Sequence, residues 1–285
     1  MVTQARGAAG FSLIELLIAL LISTAIGALV FTVFAVQNRF YSATSASGRA
    51  QQTVRGAADL IATELRAVSR GAMQVAESDR FATRVPVAMG IVCSLPAGGD
   101  VNAYFALDGR AITSSEVAGF GVLAPSGAWA YYPKSWGALF LSSGGASVTA
   151  CTGQGGTSSG FASDYLRLDD VAVTANPAPD TGSAMLIYSE IEYRFAPSAL
   201  EPGTLGLFRG PYGGTLVEYA SGFAPEAHFE YRVGTGTYQP SAAGVLAEVT
   251  AIRFVAEAEP VFRAGGETAT QRFGVTVDVP LRNAR

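Results

Sequence analysis

From Phe11 to Val36 the chain carries a single charged side chain, Glu15, inside an otherwise apolar run. Counted from Gly10 it reads GFSLIELLIALLISTAIGALVFTVFAV, with Ser23, Thr24, Gly27 and Thr32 as its main interruptions. About 26 residues at 1.5 Å rise span roughly 39 Å as a helix, enough to cross a bilayer core with some tilt. Lipid offers backbone groups no partners, so such a span must be helical. A secretory signal peptide has a shorter apolar region with small residues at its far end. Here the small residue, Gly10, precedes the run. A plain anchor accounts for the length but not for Glu15. A carboxylate in hydrocarbon costs roughly 2.5–3.5 kcal/mol on insertion scales and needs a partner. Cleavage after Gly10 would create one, a positive α-amino group on Phe11 about one helical turn away.

Gly10, then Phe11-Ser12-Leu13-Ile14-Glu15-Leu16, then the apolar run, resembles the N-terminus of type IV pilins and type II secretion pseudopilins. The resemblance implies that a prepilin peptidase cuts after Gly10 and that Phe11 is N-methylated. It also implies that Glu15 aligns subunits by pairing with a neighbour's N-terminus. The partners implied are other major and minor pilins through the N-terminal helix, an inner-membrane assembly platform, and the membrane itself. The leader would lie in the bacterial cytoplasm. The rest of the chain beyond Val36 would be periplasmic, then extracellular or in a pseudopilus. Arginine counting gives no independent orientation, because Arg6 on one side faces Arg39 and Arg49 on the other.

After the apolar run, Gln37–Ala50 is polar and small. From Gln51 to Arg70, apolar residues recur at Val54, Ala57, Ala58, Ile61, Leu65 and Val68, the spacing of one buried helix face. Arg55, Asp59, Glu64 and Arg66 fall mainly on the remaining surface. Gly48 and Gly56 could loosen or end the helix, and Gly71 is a plausible stop. A single helix from Phe11 to about Arg70 would be roughly 90 Å long.

Beyond residue 80 the period changes to two. Phe273, Val275, Val277 and Val279 alternate with Arg272, Gly274, Thr276 and Asp278, as do Ile191, Tyr193 and Phe195 within Glu190–Phe195. Leu205–Phe208 follows a turn containing Pro and Gly and suggests a hairpin. Further strands are expected at Val85–Val92, Trp129–Tyr132, Leu139–Leu141, Tyr165–Val173, Leu216–Tyr219, His228–Val233 and Val249–Val255. The fold class expected is α+β: a long N-terminal helix, membrane-spanning then amphipathic, packed on a mainly antiparallel β-rich domain. Its parts would be a leader (1–10), the two helix halves (11–36 and 37–70) and the globular domain (71–285). Within the pilin superfamily, the 51–71 helix, the Ile187–Phe195 and Leu207-Phe208-Arg209 stretches, Val249–Val255 and the terminal VTVDVPLRN are most similar to large minor pilins of PilW type or to pseudopilin J of type II secretion.

Charged residues make up 15% of the chain and Gly 33 of 285, which suits a turn-rich exported β domain. Three of the 23 acidic and six of the 19 basic residues precede Gly71, leaving roughly −7 on the globular part. That lacks the basic footprint of a nucleic-acid binder. Cys93 and Cys151 would close a loop of about 58 residues if bridged, worth roughly 4 kcal/mol in the chain-entropy model. Two unpaired thiols remain the other reading. No catalytic set stands out. His228 lies in a strand pattern, and two cysteines with one histidine cannot build a Cys/His metal site. No cofactor motif or phosphate loop occurs. Asp164, Asp169 and Asp170 could contribute to calcium binding, but without EF-hand spacing a solvated strand edge is the simpler reading. Trp129, Tyr131, Tyr132 and Trp136 beside Lys134 read as core or interface rather than a carbohydrate site. The expected function is therefore that of a minor pilin, bulky and in low copy near a filament tip, priming assembly. The alternatives are a minor pseudopilin and a tip adhesin using the Gly/Ser-rich stretch Ser142–Gly160. A membrane-tethered enzyme is the weakest reading.

Overall fold

The computed structural model describes residues 12–95, 101–105, 117–124, 127–134, 165–168, 179–258 and 272–282. Helix α1 runs unbroken from Leu13 to Leu65, 53 residues, or about 80 Å. Gly48 and Gly56 do not interrupt it, and the single-helix reading is the one that forms. Both sit on the uncovered side, where an added Cβ would meet nothing within 4 Å. A helical glycine costs about 1 kcal/mol relative to alanine. Burial of the flanking Ala50, Val54, Ala57, Ala58, Ile61, Ala62 and Leu65 outweighs that.

The helix stops at Leu65, five residues short of the expected Arg70. Its last turn tightens through Ala67 N–H to Glu64 O and Val68 N–H to Leu65 O, at 3.2 and 3.0 Å. Val68 and Ser69 then turn inward and are buried. There the linker pairs with the end of the described chain: Arg282 N–H donates to Val68 O at 2.8 Å and Arg70 N–H to Arg282 O at 3.2 Å. Gly71, at φ 84°, supplies the left-handed turn that redirects the chain into the sheet.

Thirteen strands lie among the described residues. They are β1 (Met73–Ala76), β2 (Arg80–Ser94), β3 (Val101–Phe105), β4 (Gly119–Leu123), β5 (Trp129–Pro133), β6 (Tyr165–Leu168), β7 (Ala184–Pro197), β8 (Leu205–Pro211), β9 (Val217–Phe223), β10 (His228–Val233), β11 (Tyr238–Gln239), β12 (Val249–Ala258) and β13 (Phe273–Pro280). Every pairing between them is antiparallel. The main path is β11-β10-β12-β9-β8-β7-β2-β3-β6. In addition β1 joins β2, β13 joins β12, and β4 bridges β7 and β5. The fold is thus α+β, as expected: one long apolar helix on a large antiparallel sheet.

Most expected strands are present, and the β7–β8 hairpin forms with Pro197 opposite Leu205. The strand expected at Leu216–Tyr219 lies at Val217–Phe223, and the one beginning at Tyr165 is described only to Leu168. Leu139–Leu141 falls outside the described residues. Strands β1, β3, β4 and β11 are additions to the sequence reading.

Two cores result. The larger joins the buried face of α1 to an aromatic cluster in which Phe195 lies 5.0 Å from Phe229 and 5.9 Å from Phe254, ring centre to ring centre. The second, farther along β2 and β7, gathers Ala88, Val92, Phe105, Phe120 and Ile187. Trp129, Leu186 and Tyr188 form a small satellite beside it. Strands β2 and β7 contribute to both cores, and their register shifts between Pro86 and Ala88, where one cluster gives way to the other.

Candidate functional site

Gly10 and Phe11, the expected cleavage and methylation residues, lie outside the described residues. Glu15 sits in the first turn of α1, exposed, after the extended N-cap residue Ser12 (φ −74°, ψ 138°). A negative charge there is favoured by the helix dipole. Around it the apolar run is uncovered: Leu13 is 81% exposed, Phe31 76% and Phe34 71%. Among the described residues α1 is the one helix long and apolar enough to cross a membrane, and its most apolar stretch buries nothing against the head. Both threonine hydroxyls of the run are satisfied within the helix. Thr24 Oγ1 donates to Leu21 O at 2.9 Å and Thr32 Oγ1 to Ala28 O at 2.8 Å. These two threonines therefore need no outside partner, which suits an apolar surrounding.

What aims this arm is its attachment to the sheet. Near the end of α1, Glu64 takes a two-pronged ion pair from Arg209 on β8, Nη2 to Oε1 and Nε to Oε2 at 3.3 Å. The Tyr193 hydroxyl on β7 donates to the same Glu64 Oε2 at 2.6 Å, and Arg209 Nε reaches Tyr193 Oη at 3.2 Å. Tyr193 and Arg209 are cross-strand partners, so the sheet register presents both to one carboxylate. Burial, then the Glu64 carboxylate, push the Tyr193 hydroxyl above the ordinary phenol range, and it stays a donor. Glu64 was expected mainly on the solvent surface. Its side chain is only 18% exposed because the sheet brings a matching cation and hydroxyl beneath it. No local pattern in the sequence signals this site, since its members are 129 and 145 residues apart.

Cys93 on β2 is disulfide-bonded, and no described cysteine is free. Cys151 lies outside the described residues, as do Asp164, Asp169, Asp170, Trp136 and the whole Ser142–Gly160 stretch. His228 is half-exposed on β10. Its Nδ1 donates to Glu226 O at 2.6 Å, and Nε2 lies 3.6 Å from Glu230. On the same outer sheet face Arg253 bridges Asp278, at 2.6 Å through Nε, and Glu230, while its guanidinium lies 3.7 Å from the Tyr238 ring centre. Arg253 holds the Asp278 carboxyl below the usual carboxylate range. These charges neutralise one another across strands, the ordinary behaviour of a solvated sheet face. Trp129 is buried, and the Tyr131 and Tyr132 rings pack against the cores rather than forming an open platform. Among the described residues no group of three potential metal ligands converges.

Glu64→Ala should destabilise the full chain by about 2 kcal/mol, because it leaves Arg209 and Tyr193 without their acceptor in a half-buried setting. Tyr193→Phe should cost about 1 kcal/mol. Urea unfolding in detergent checks both, and an unchanged midpoint for Glu64→Ala would refute the clamp. A second expectation concerns alkaline pH. Burial pushes Tyr131 and Tyr188 up to about 12, with Arg84 opposing it, whereas an unfolded tyrosine ionises near 10. Their folded pKa is raised, so their contribution is intact below pH about 10 and is lost as pH climbs toward about 12. Phenolate absorbance should show a late-titrating fraction, and stability should fall across that same window.

Comparison of the chain with family models, with curated proteins and with solved structures finds no match in any of the three.

Proposed function

We propose that this chain is a minor pilin, cut after Gly10, N-methylated on Phe11 and built into a type IV pilus through its N-terminal helix. One observation carries the reading. The Gly10-Phe11-Ser12-Leu13-Ile14-Glu15 motif leads directly into a 53-residue helix whose first half is apolar and uncovered and whose second half holds a β-sheet head. An apolar surface of that length must be covered by lipid or by other helices. A helix that exchanges one for the other fits both the span and the charge at Glu15. In hydrocarbon that carboxylate wants a cation, and the freed amine of a neighbouring Phe11 offers one.

Other features support the reading. The disulfide at Cys93 suits a head exposed to an oxidising compartment rather than to the cytosol. The bulk of the head favours a few copies near the tip, where they would prime assembly, over repetition along a thin fibre. The partners are then other pilins, the prepilin peptidase and the assembly platform in the inner membrane. A secretion pseudopilus would use the same helix in the same way.

Mass spectrometry of sheared filaments should find a mature chain starting at N-methylated Phe11, and the filament that carries it separates pilus from pseudopilus. Glu15→Ala should still be processed but should enter filaments several-fold less. An intact Met1 in assembled material, or normal incorporation of Glu15→Ala, would overturn the proposal.

A further inference from the structure

Two charges bracket the apolar part of α1. Glu15 stands at one end and Arg39 at the other, and Leu16–Asn38 between them is uncharged. A hydrocarbon core of about 30 Å takes about 20 helical residues. Leu17–Val36 is a stretch of that length. Moving the lipid zone one turn toward the N-terminus takes in Glu15 and leaves Phe34 and Val36 in water. Moving it one turn the other way takes in Gln37, Asn38 and Arg39. Lipid penalises both slips because each desolvates a charge, so the register is held from both ends.

Just past this span the helix carries two large rings that the head does not cover. Phe40 is 73% exposed and Tyr41 74%, and full burial of α1 against the sheet begins only at Ala50. The helix is regular here, with the Thr44 hydroxyl donating to Phe40 O at 2.9 Å. Phe34 and Val36 share a shallow surface groove with Phe40 and Tyr41, so the apolar surface continues past the two amides. At 1.5 Å per residue the rings lie roughly 6–7 Å beyond Val36. That is inside the headgroup layers, which widen a 30 Å core to about 40–45 Å. A tyrosine suits this half-wet layer, having an apolar ring and a hydroxyl at its tip. Arg39 extends along its aliphatic stem to the same layer.

We infer that Phe40 and Tyr41 form an interfacial belt that binds phospholipid on the side of the membrane bearing the head, with Leu17–Val36 in the hydrocarbon. The partner is the lipid itself: phosphate for Arg39, polar headgroup oxygens for the Tyr41 hydroxyl, and the upper acyl chains for the Phe40 ring. Glu15 then lies roughly 3 Å outside the opposite face of the hydrocarbon, in reach of water until the span leaves the bilayer. Ala50 stands roughly 14 Å beyond Tyr41 along the helix, so Ser42–Arg49 carry the head clear of the headgroups. This rests on the membrane-spanning part of the proposed function, and not on cleavage, methylation or filament assembly.

The test is a depth measurement on the full chain in phosphatidylcholine vesicles brominated either near the headgroups or near the chain ends. Leu29→Trp reports the core, Tyr41→Trp the belt with its aromatic character kept, and Ser45→Trp the water beyond. The native tryptophans, common to all three variants, are subtracted with the unsubstituted chain. Leu29→Trp should be quenched several-fold more by deep bromines than by shallow ones, and Tyr41→Trp the reverse. Ser45→Trp should be quenched by neither, and by aqueous acrylamide instead. If Tyr41→Trp escapes both lipids while Leu29→Trp is quenched, the belt is overturned and the span stands. Quenching of Tyr41→Trp chiefly by deep bromines also overturns it, because the register then lies farther along the helix. No quenching of Leu29→Trp removes the membrane span and the belt with it.

Discussion

The burial of one face of α1 between Ala50 and Leu65 is the contact on which the rest of the molecule depends. It ties an arm of roughly 55 Å of uncovered helix to the head. Val54, Ile61 and Leu65 are fully or almost fully buried there, each worth about 1.5–3 kcal/mol. Apolar burial has no preferred direction, however, and would tolerate a helix rolled or slid on the sheet. The fork of Arg209 on Glu64, with Tyr193 as third member, supplies direction by pinning one carboxylate to two adjacent strands. A helix free over most of its length is aimed by its last four turns.

The sheet beneath has its own division of labour. Strands β9, β12 and β13 receive the helix, and β8, β10 and the near halves of β2 and β7 complete the core beneath it. The far halves of β2 and β7 run on into a second core that α1 does not help to build. Such long strands keep one sheet continuous across both cores, so the seam between them is crossed by backbone pairing and by few side chains. Arg84, stacked between the Tyr131 and Tyr188 rings, lies at that boundary.

Much of this architecture is legible in the residues, and what escapes has identifiable causes. The alternation in Phe273–Val279 and Glu190–Phe195 marks strands because one face of each meets the core. Strand β4 escapes because Gly119 and Gly121 read as loop. A Cβ on Gly119 would lie 2.2 Å from Tyr132 O and 2.4 Å from Tyr188 Oη, so the glycine is a packing requirement of neighbours far away in sequence. Gly48 and Gly56 are weak points that the sequence leaves open. They weaken a helix locally, yet neighbouring buried residues hold it continuous. The helix end at Leu65 rather than Arg70 reflects the pairing of Val68 and Arg70 with Arg282, which no window around residue 65 contains.

By itself, then, the sequence determined the features set by neighbours along the chain: the uncharged span with Glu15 one turn in, the three-and-four spacing that follows it, and the period-two strands of an antiparallel domain. Side-chain periodicity is a local property and survives without knowledge of the fold. The tertiary structure alone decided which strands pair, that Glu64 is a clamp rather than a solvated charge, and that Arg84 lies between the rings of Tyr131 and Tyr188. Those outcomes depend on groups brought together across long stretches of chain, and only the completed sheet sets their distances.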